Sequence, residues 1–293
     1  MPESLTEVLL DNKDLPSETV HVISIAHEER ETSYESDTLT SCCPPHMVYI
    51  AVIIYAVLAS TTTRGDVSYI FERNAKCLQS RTESMEVKEL WSKIPMIINQ
   101  CSERRFLRIR GYRNLDETKI HVMPSEVAFL SEYACSIVSL GVGRDVAAET
   151  KMKKDMPLCS FYGADPIREP NQEMFEQVGE FFHIAVGGKN GTSQATVLEP
   201  DTGNYRVRRV RHVDIATFLR SFIQKQIIDQ LMIDIEWDEY AVLPFLLKSG
   251  DIENANVVIC QINIEIHNPN YAQKSIFFST FSSKIWKKLD TCH

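Results

Sequence analysis

The sequence predicts an α/β fold, a mostly parallel sheet with helices on both faces. Three observations point there. From residue 135 onward, short apolar runs such as CSIVSL (135–140), LMIDIE (231–236) and VVICQINIEI (257–266) are nearly continuous, the pattern of strands buried on both sides. Stretches with apolar residues three and four apart separate these runs, and strands alternating with helices build a parallel sheet. The composition, 44% hydrophobic and 24% charged with 11 Gly and 12 Pro over 293 residues, is that of an ordinary globular chain.

Residues 1–46 hold ten acidic side chains against Lys13 and Arg30, a net of −8 within a chain of net charge −9. With its Ser, Thr and Pro clusters, this stretch is expected to be an acidic disordered tail. Beyond Pro45, Met47 to Ser60 reads MVYIAVIIYAVLAS, 14 residues without a charge, or 17 to Thr63. A spanning helix needs about 20 apolar residues and a secretory core about 7–15. Residues 47–63 therefore read as a signal-anchor, with a cleavable signal starting at Met47 and a buried core segment as the alternatives. Membrane attachment and a single-pass protein of the secretory pathway follow from the first, and a cytoplasmic protein from the last. Net acidity disfavours tight binding to polyanions unless positive charge is strongly segregated, so a general nucleic-acid binder is not expected.

Residues 64–130 form a helical N-terminal extension. Val87, Leu90, Trp91, Ile94, Ile97 and Ile98 recur at helical spacing between Thr82 and Cys101, with Pro95 expected to kink or end the helix. Residues 102–130, with Arg104, Arg105, Arg108, Arg110 and Arg113, read as a connecting and packing region. The remaining residues, 131–293, form the main domain. Its strands are expected at 135–140, 158–164, 181–186, 231–236 and 257–266. Helical stretches are expected around 146–154, 171–178, 213–223 and 240–248, and a polar hairpin-like insertion around 189–211. SIFFSTF at 275–281 is a further strand candidate. Of eight cysteines, none shows zinc spacing. Cys135, Cys159 and Cys260 lie in apolar runs as small buried hydrophobes, whereas Cys77, Cys101 and Cys292 are free to pair in an oxidising compartment. Cys42 and Cys43 flank the apolar run.

In such sheets ligands bind at the carboxyl ends of the strands. Gly141-Val142-Gly143 follows the first strand of the domain and lets a ligand approach the backbone. A dinucleotide fingerprint would place a third glycine at Val146, which weakens a nicotinamide-dependent oxidoreductase. Asp165 ends the next strand, 22 residues beyond Gly143, where a carboxylate accepts hydrogen bonds from ribose hydroxyls. Asp234 and Glu236 are two apart and are expected to share one face of the fourth strand, and Asn263, Glu265 and His267 one face of the fifth. Paired acids orient a nucleophile or act as general base, and His267 is a second candidate base.

Taken in order, SIVSLGVGRDVAAE, FYGADP, HIAVGGKNGTSQATV, HVDIATFL, MIDIEWDEYAVLPFL and QINIEIH resemble the motifs of FkbM-type S-adenosylmethionine-dependent methyltransferases, particularly their divergent nematode branch. The resemblance covers about residues 130–268. It implies a class I, Rossmann-like methyltransferase fold with S-adenosyl-L-methionine as cofactor: Gly141 and Gly143 beside its methionine part, Asp165 on its ribose, Ala185 and its neighbours near adenine, and Asp234 and Glu236 at the transfer site. Three positions depart from the pattern: Ser139 stands for a common acid, Asp145 for a later glycine of the loop, and Trp237 for the glycine after the strand-four acid. Asp145 or Glu149 is expected to compensate for Ser139 in holding the cofactor. The expected activity is O-methylation of a hydroxyl on a small molecule or glycan, without a metal. A catalytically inactive methyltransferase-like binding module and a membrane-tethered interaction protein are the alternatives.

Overall fold

The computed structural model describes residues 19–25, 73–74, 76–101, 108–115, 118–123, 134–199, 201–246 and 250–267. In chain order the strands are β1 (Thr19–Ile25), β2 (Arg108–Arg113), β3 (Thr118–Met123), β4 (Ser136–Leu140), β5 (Ser160–Asp165), β6 (Glu180–His183), β7 (Ala185–Gly187), β8 (Gly191–Leu198), β9 (Tyr205–Asp214), β10 (Ile227–Ile228), β11 (Gln230–Ile233), β12 (Val258–Ile259) and β13 (Gln261–His267). The helices that matter here are α1 (Val87–Cys101), α2 (Ala147–Asp155), α3 (Asn171–Phe175), α4 (Ile215–Thr217) and α5 (Glu239–Val242).

Six strands make the central sheet in the order β1-β13-β11-β4-β5-β6. Five are parallel, and β1 is antiparallel to β13 at one edge. This is the expected α/β architecture. The chain runs outward from β4 through β5 to β6, then returns to β11 on the other side of β4 and continues to β13. The topological switch therefore lies between β4 and β11, where open sheets of this kind form their binding crevice.

Alternation along β4 shows how the sheet is covered. Val138 and Leu140 join a core with Leu231, Ile233, Phe218 and Ile264, while Ile137 faces Met152, Phe161, Phe175 and Met232 on the opposite side. Both layers are apolar, so strands between them need no polar face, which is why the runs read as continuous.

Several expectations need correction. Thr19–Ile25, inside the expected disordered tail, forms the edge strand β1. The expected third strand, 181–186, is split: β6 stays in the central sheet, while β7 joins β8 and β9 in a separate three-stranded sheet. The fourth ends at Ile233 rather than at residue 236. Pro95 does not end α1, which continues to Cys101. The arginine-rich connection contains the hairpin β2–β3, docked through Gln230, whose Nε2 donates to the Ile120 carbonyl at 3.1 Å, and Gln261, which bonds both backbone groups of Val122 at 2.9 and 2.8 Å. Cys135 and Cys159 are not free hydrophobes but a disulfide, and Cys77 pairs with Cys101. Cys260 remains free. No helix among the described residues is long and apolar enough to cross a membrane. Met47–Ser60, Cys42, Cys43, Cys292 and the strand candidate at 275–281 lie outside the described residues.

Candidate active site

At the switch point, β4 ends in Gly141 with φ +81° and Gly143 with φ +61°. Gly141 donates to the Ala164 carbonyl at 2.9 Å, and Asp234 donates from its backbone to the Leu140 carbonyl at 2.9 Å. A Cβ on Gly141 would stand 1.7 Å from the Asp234 carbonyl oxygen, whereas one on Gly143 would meet nothing within 4 Å. The first glycine lets two strand ends touch, and the second leaves open space before α2.

Asp165 is 6% exposed at the tip of β5. Its Oδ2 accepts from the backbone N–H groups of Val142 at 3.0 Å and Gly143 at 3.3 Å, and its Oδ1 from Ile167 at 2.7 Å. Burial raises its pKa, against the opposing pull of those hydrogen bonds and of Asn171. The carboxylate thus shapes the glycine turn from the cavity wall.

Asp145 bridges the start of α2 to the β2–β3 hairpin side of the crevice through its carboxylate. Its Oδ1 accepts from Ala147 N–H at 2.8 Å and its Oδ2 from Leu115 N–H at 2.7 Å. Glu149, the other residue named against Ser139, is 1% exposed and lies beneath the cavity wall. Ser139 Oγ donates to its Oε1 at 2.9 Å and Lys119 Nζ lies 3.0 Å from the same oxygen. Nothing near residue 119 marked that lysine; on an exposed strand it would read as a solvated charge.

On the other side of the crevice, the expected shared strand face of Asp234 and Glu236 does not exist, because β11 stops before both. They lie in a turn in which Glu236 (φ +52°) and Trp237 (φ +70°) are left-handed. The backbone keeps a glycine-like conformation with a tryptophan in it, and the strain is of the kind stored at functional sites. This turn brings Glu236 to His267 on β13, with Nε2 3.2 Å from Oε2. His267 Nδ1 lies 3.2 Å from Oε1 of Glu239, which is fully buried and also accepts from Ile235 N–H at 3.0 Å. Burial pulls the imidazole pKa down, but the hydrogen bonds and charges of Glu236 and Glu239 outweigh it and push it up to about 11. The two carboxylates on either side of the ring thus favour its protonated form. Sequence reasoning missed Glu239, whose signal was its place one helical turn after Glu236.

Gly141, Gly143, Asp145, Asp165, Ala185, Asp234 and Glu236 line one cavity of about 310 Å³, with Lys119 and Trp237 on its wall. His267 does not line this cavity itself but meets Glu236 and Trp237, which do. Ala185 is 6% exposed and pairs with His212 of β9. A second cavity of about 450 Å³, near Gly188, Thr217 and Arg220, holds none of the predicted residues.

The glycine turn is thus bonded to the acid of the next strand and packed on Asp234. The family model described as the methyltransferase FkbM domain matches residues 104–291. The chain belongs to the FkbM methyltransferase domain family. The match starts before β2, so this methyltransferase includes the β2–β3 hairpin that carries Lys119. No curated protein and no solved structure matches the chain.

Proposed function

We propose that this methyltransferase uses S-adenosyl-L-methionine to methylate a hydroxyl on a small molecule or glycan. The observation that carries the proposal is the contact between Gly141 and Asp234, which holds a backbone cradle and a carboxylate on two walls of one crevice. The open space above Gly143, where a side chain would intrude, fits the cofactor's methionine part; Gly141 to Gly143 would hold it there, with Asp165 toward the ribose and Ala185 toward adenine. When bound, the cofactor supplies an electrophilic methyl group.

This chain's own residues do the rest. With His267 charged and Glu236 held against it, Asp234 is the carboxylate assigned to accept the proton of the acceptor hydroxyl. Glu236, His267 and Glu239 fix the turn that presents it, and Trp237, 39% exposed, narrows the acceptor side. The two disulfides support an oxidising compartment, and so the secretory pathway. Membrane attachment through 47–63 rests on the uncharged run alone.

The test is methyl transfer from labelled S-adenosylmethionine to a panel of neutral and acidic glycans. Asp234→Asn keeps size and hydrogen-bonding capacity, and turnover is expected to fall by about 10²-fold or more with cofactor affinity and melting temperature near wild type. Unchanged turnover would remove Asp234 as base.

A further inference from the structure

Charge on this chain is more segregated than its net −9 suggests. The antiparallel ribbon β8–β9 carries Arg206, Arg208, Arg209 and Arg211 on one strand and no acid on the other, GTSQATVL. Arg208 is committed within the fold, since its Nε and Nη2 both donate to the carboxylate of Glu199, which is 4% exposed. Arg206, Arg209 and Arg211 are exposed and have no ion-pair partner among the described residues.

Strand alternation sorts these groups. Tyr205, Val207, Arg209 and Arg211 share one face, opposite Leu198, Thr196, Gln194 and Thr192 in the cross-strand register. That is the outward face: Tyr205 is 55% and Val207 64% exposed, whereas Val197 on the other face is 3% exposed. Leu198 and Tyr205 at its end also line the candidate active site. The face therefore runs from the mouth of the site to Arg209 and Arg211, whose Cα atoms stand about 7 Å apart at roughly 3.4 Å per strand residue.

We propose that this face binds a glycan bearing sulfate or carboxylate groups and leads it past Tyr205 to the site, so that the methyl acceptor belongs to an acidic glycan. Arginine forks match both anions, Thr192, Gln194 and Thr196 offer hydrogen bonds to a hydroxyl-rich chain, and Tyr205 is a flat apolar surface for a sugar ring. A single exposed aromatic is too little for the successive base stacking that single-stranded nucleic acid uses. Two exposed apolar side chains give little area to enter a bilayer. The acceptor class rests on the methyltransferase activity proposed above; the binding face does not.

The test is titration of the full chain with a heparin-derived octasaccharide and a neutral maltooligosaccharide of equal length, with single-stranded RNA and phosphatidylserine vesicles in parallel. The octasaccharide is expected to bind and the neutral chain not to. Arg209→Glu with Arg211→Glu should weaken octasaccharide binding about tenfold or more and flatten its salt dependence. The same charge change at exposed Lys154 and Lys225 should leave it unchanged. Equal binding of the neutral chain, equal loss in the lysine control, or capture of RNA or vesicles but not the octasaccharide would overturn the proposal. S-adenosylmethionine titrated into the same proteins separates the two claims: loss of cofactor binding throughout counts against the transferase activity, while the octasaccharide series still decides the ribbon.

Discussion

Gly141 and Asp234 are packed so closely that any side chain on the glycine would overlap the aspartate backbone, its Cβ 1.7 Å from the carbonyl oxygen. Gly141→Ala must push apart β4 and the turn after β11, and it also strains a residue at φ +81°. A loss of about 3 kcal/mol or more in urea unfolding is expected, within the range of core overpacking plus backbone strain. Gly143→Ala, with open space around its Cβ, should lose only about 1 kcal/mol, the cost of the left-handed conformation. Equal losses in the two variants would contradict the packing.

Trp237 occupies a left-handed position, and its ring lies 4.9 Å from the His267 ring. Trp237→Gly and Trp237→Ala both remove that contact, so their difference isolates the backbone. The glycine variant should be more stable by about 1 kcal/mol, where ordinarily alanine is the more stable. Thermal melts of the pair decide this.

His267 has a folded-state pKa of about 11 against roughly 6.5 unfolded. Because the folded value is the higher, its contribution to stability is fully present below about pH 6.5 and is lost as pH rises through about 11. Urea unfolding of wild type should weaken from pH 7 to pH 10.5 more steeply than that of His267→Gln. Parallel pH profiles would show that the imidazolium is not held by Glu236 and Glu239.

Cys135 and Cys159 close a loop with a sequence separation of 24, joining the residues just before β4 and β5. Peptide mapping without reductant should recover Cys135–Cys159 and Cys77–Cys101 as linked pairs. Cys159→Ser should cost about 3.5 kcal/mol, the loop-closure value for a loop of that size. Recovery of all four as free thiols would contradict both bridges.

The sheet was legible because β4, β5 and β13 are buried on both faces and read as apolar runs. Asp165 was legible for a similar reason, as a carboxylate at a strand tip at a telling distance from a glycine turn. The turn after Ile233 was not. Asp-Ile-Glu continues the strand's alternation, and no side chain announces that Glu236 and Trp237 take left-handed angles. Glu149 and Lys119 meet under Ser139 from elements 30 residues apart in sequence, a pairing that no local pattern encodes. For β1 the signal was present in the β-branched residues Thr19, Val20, Val22, Ile23 and Ile25, but the surrounding acidity pointed to a solvated tail.

The most direct test of the central claim is calorimetric titration of the folded, full-length chain with S-adenosyl-L-methionine. One site per chain is expected, with S-adenosylhomocysteine competing for it and NAD giving no heat. Affinity should be about tenfold or more lower in Gly143→Ala, whose methyl enters the open space beside the turn, a loss of roughly 1.4 kcal/mol. A folded wild-type chain that gives no heat with S-adenosylmethionine, or that binds NAD in its place, would contradict the account.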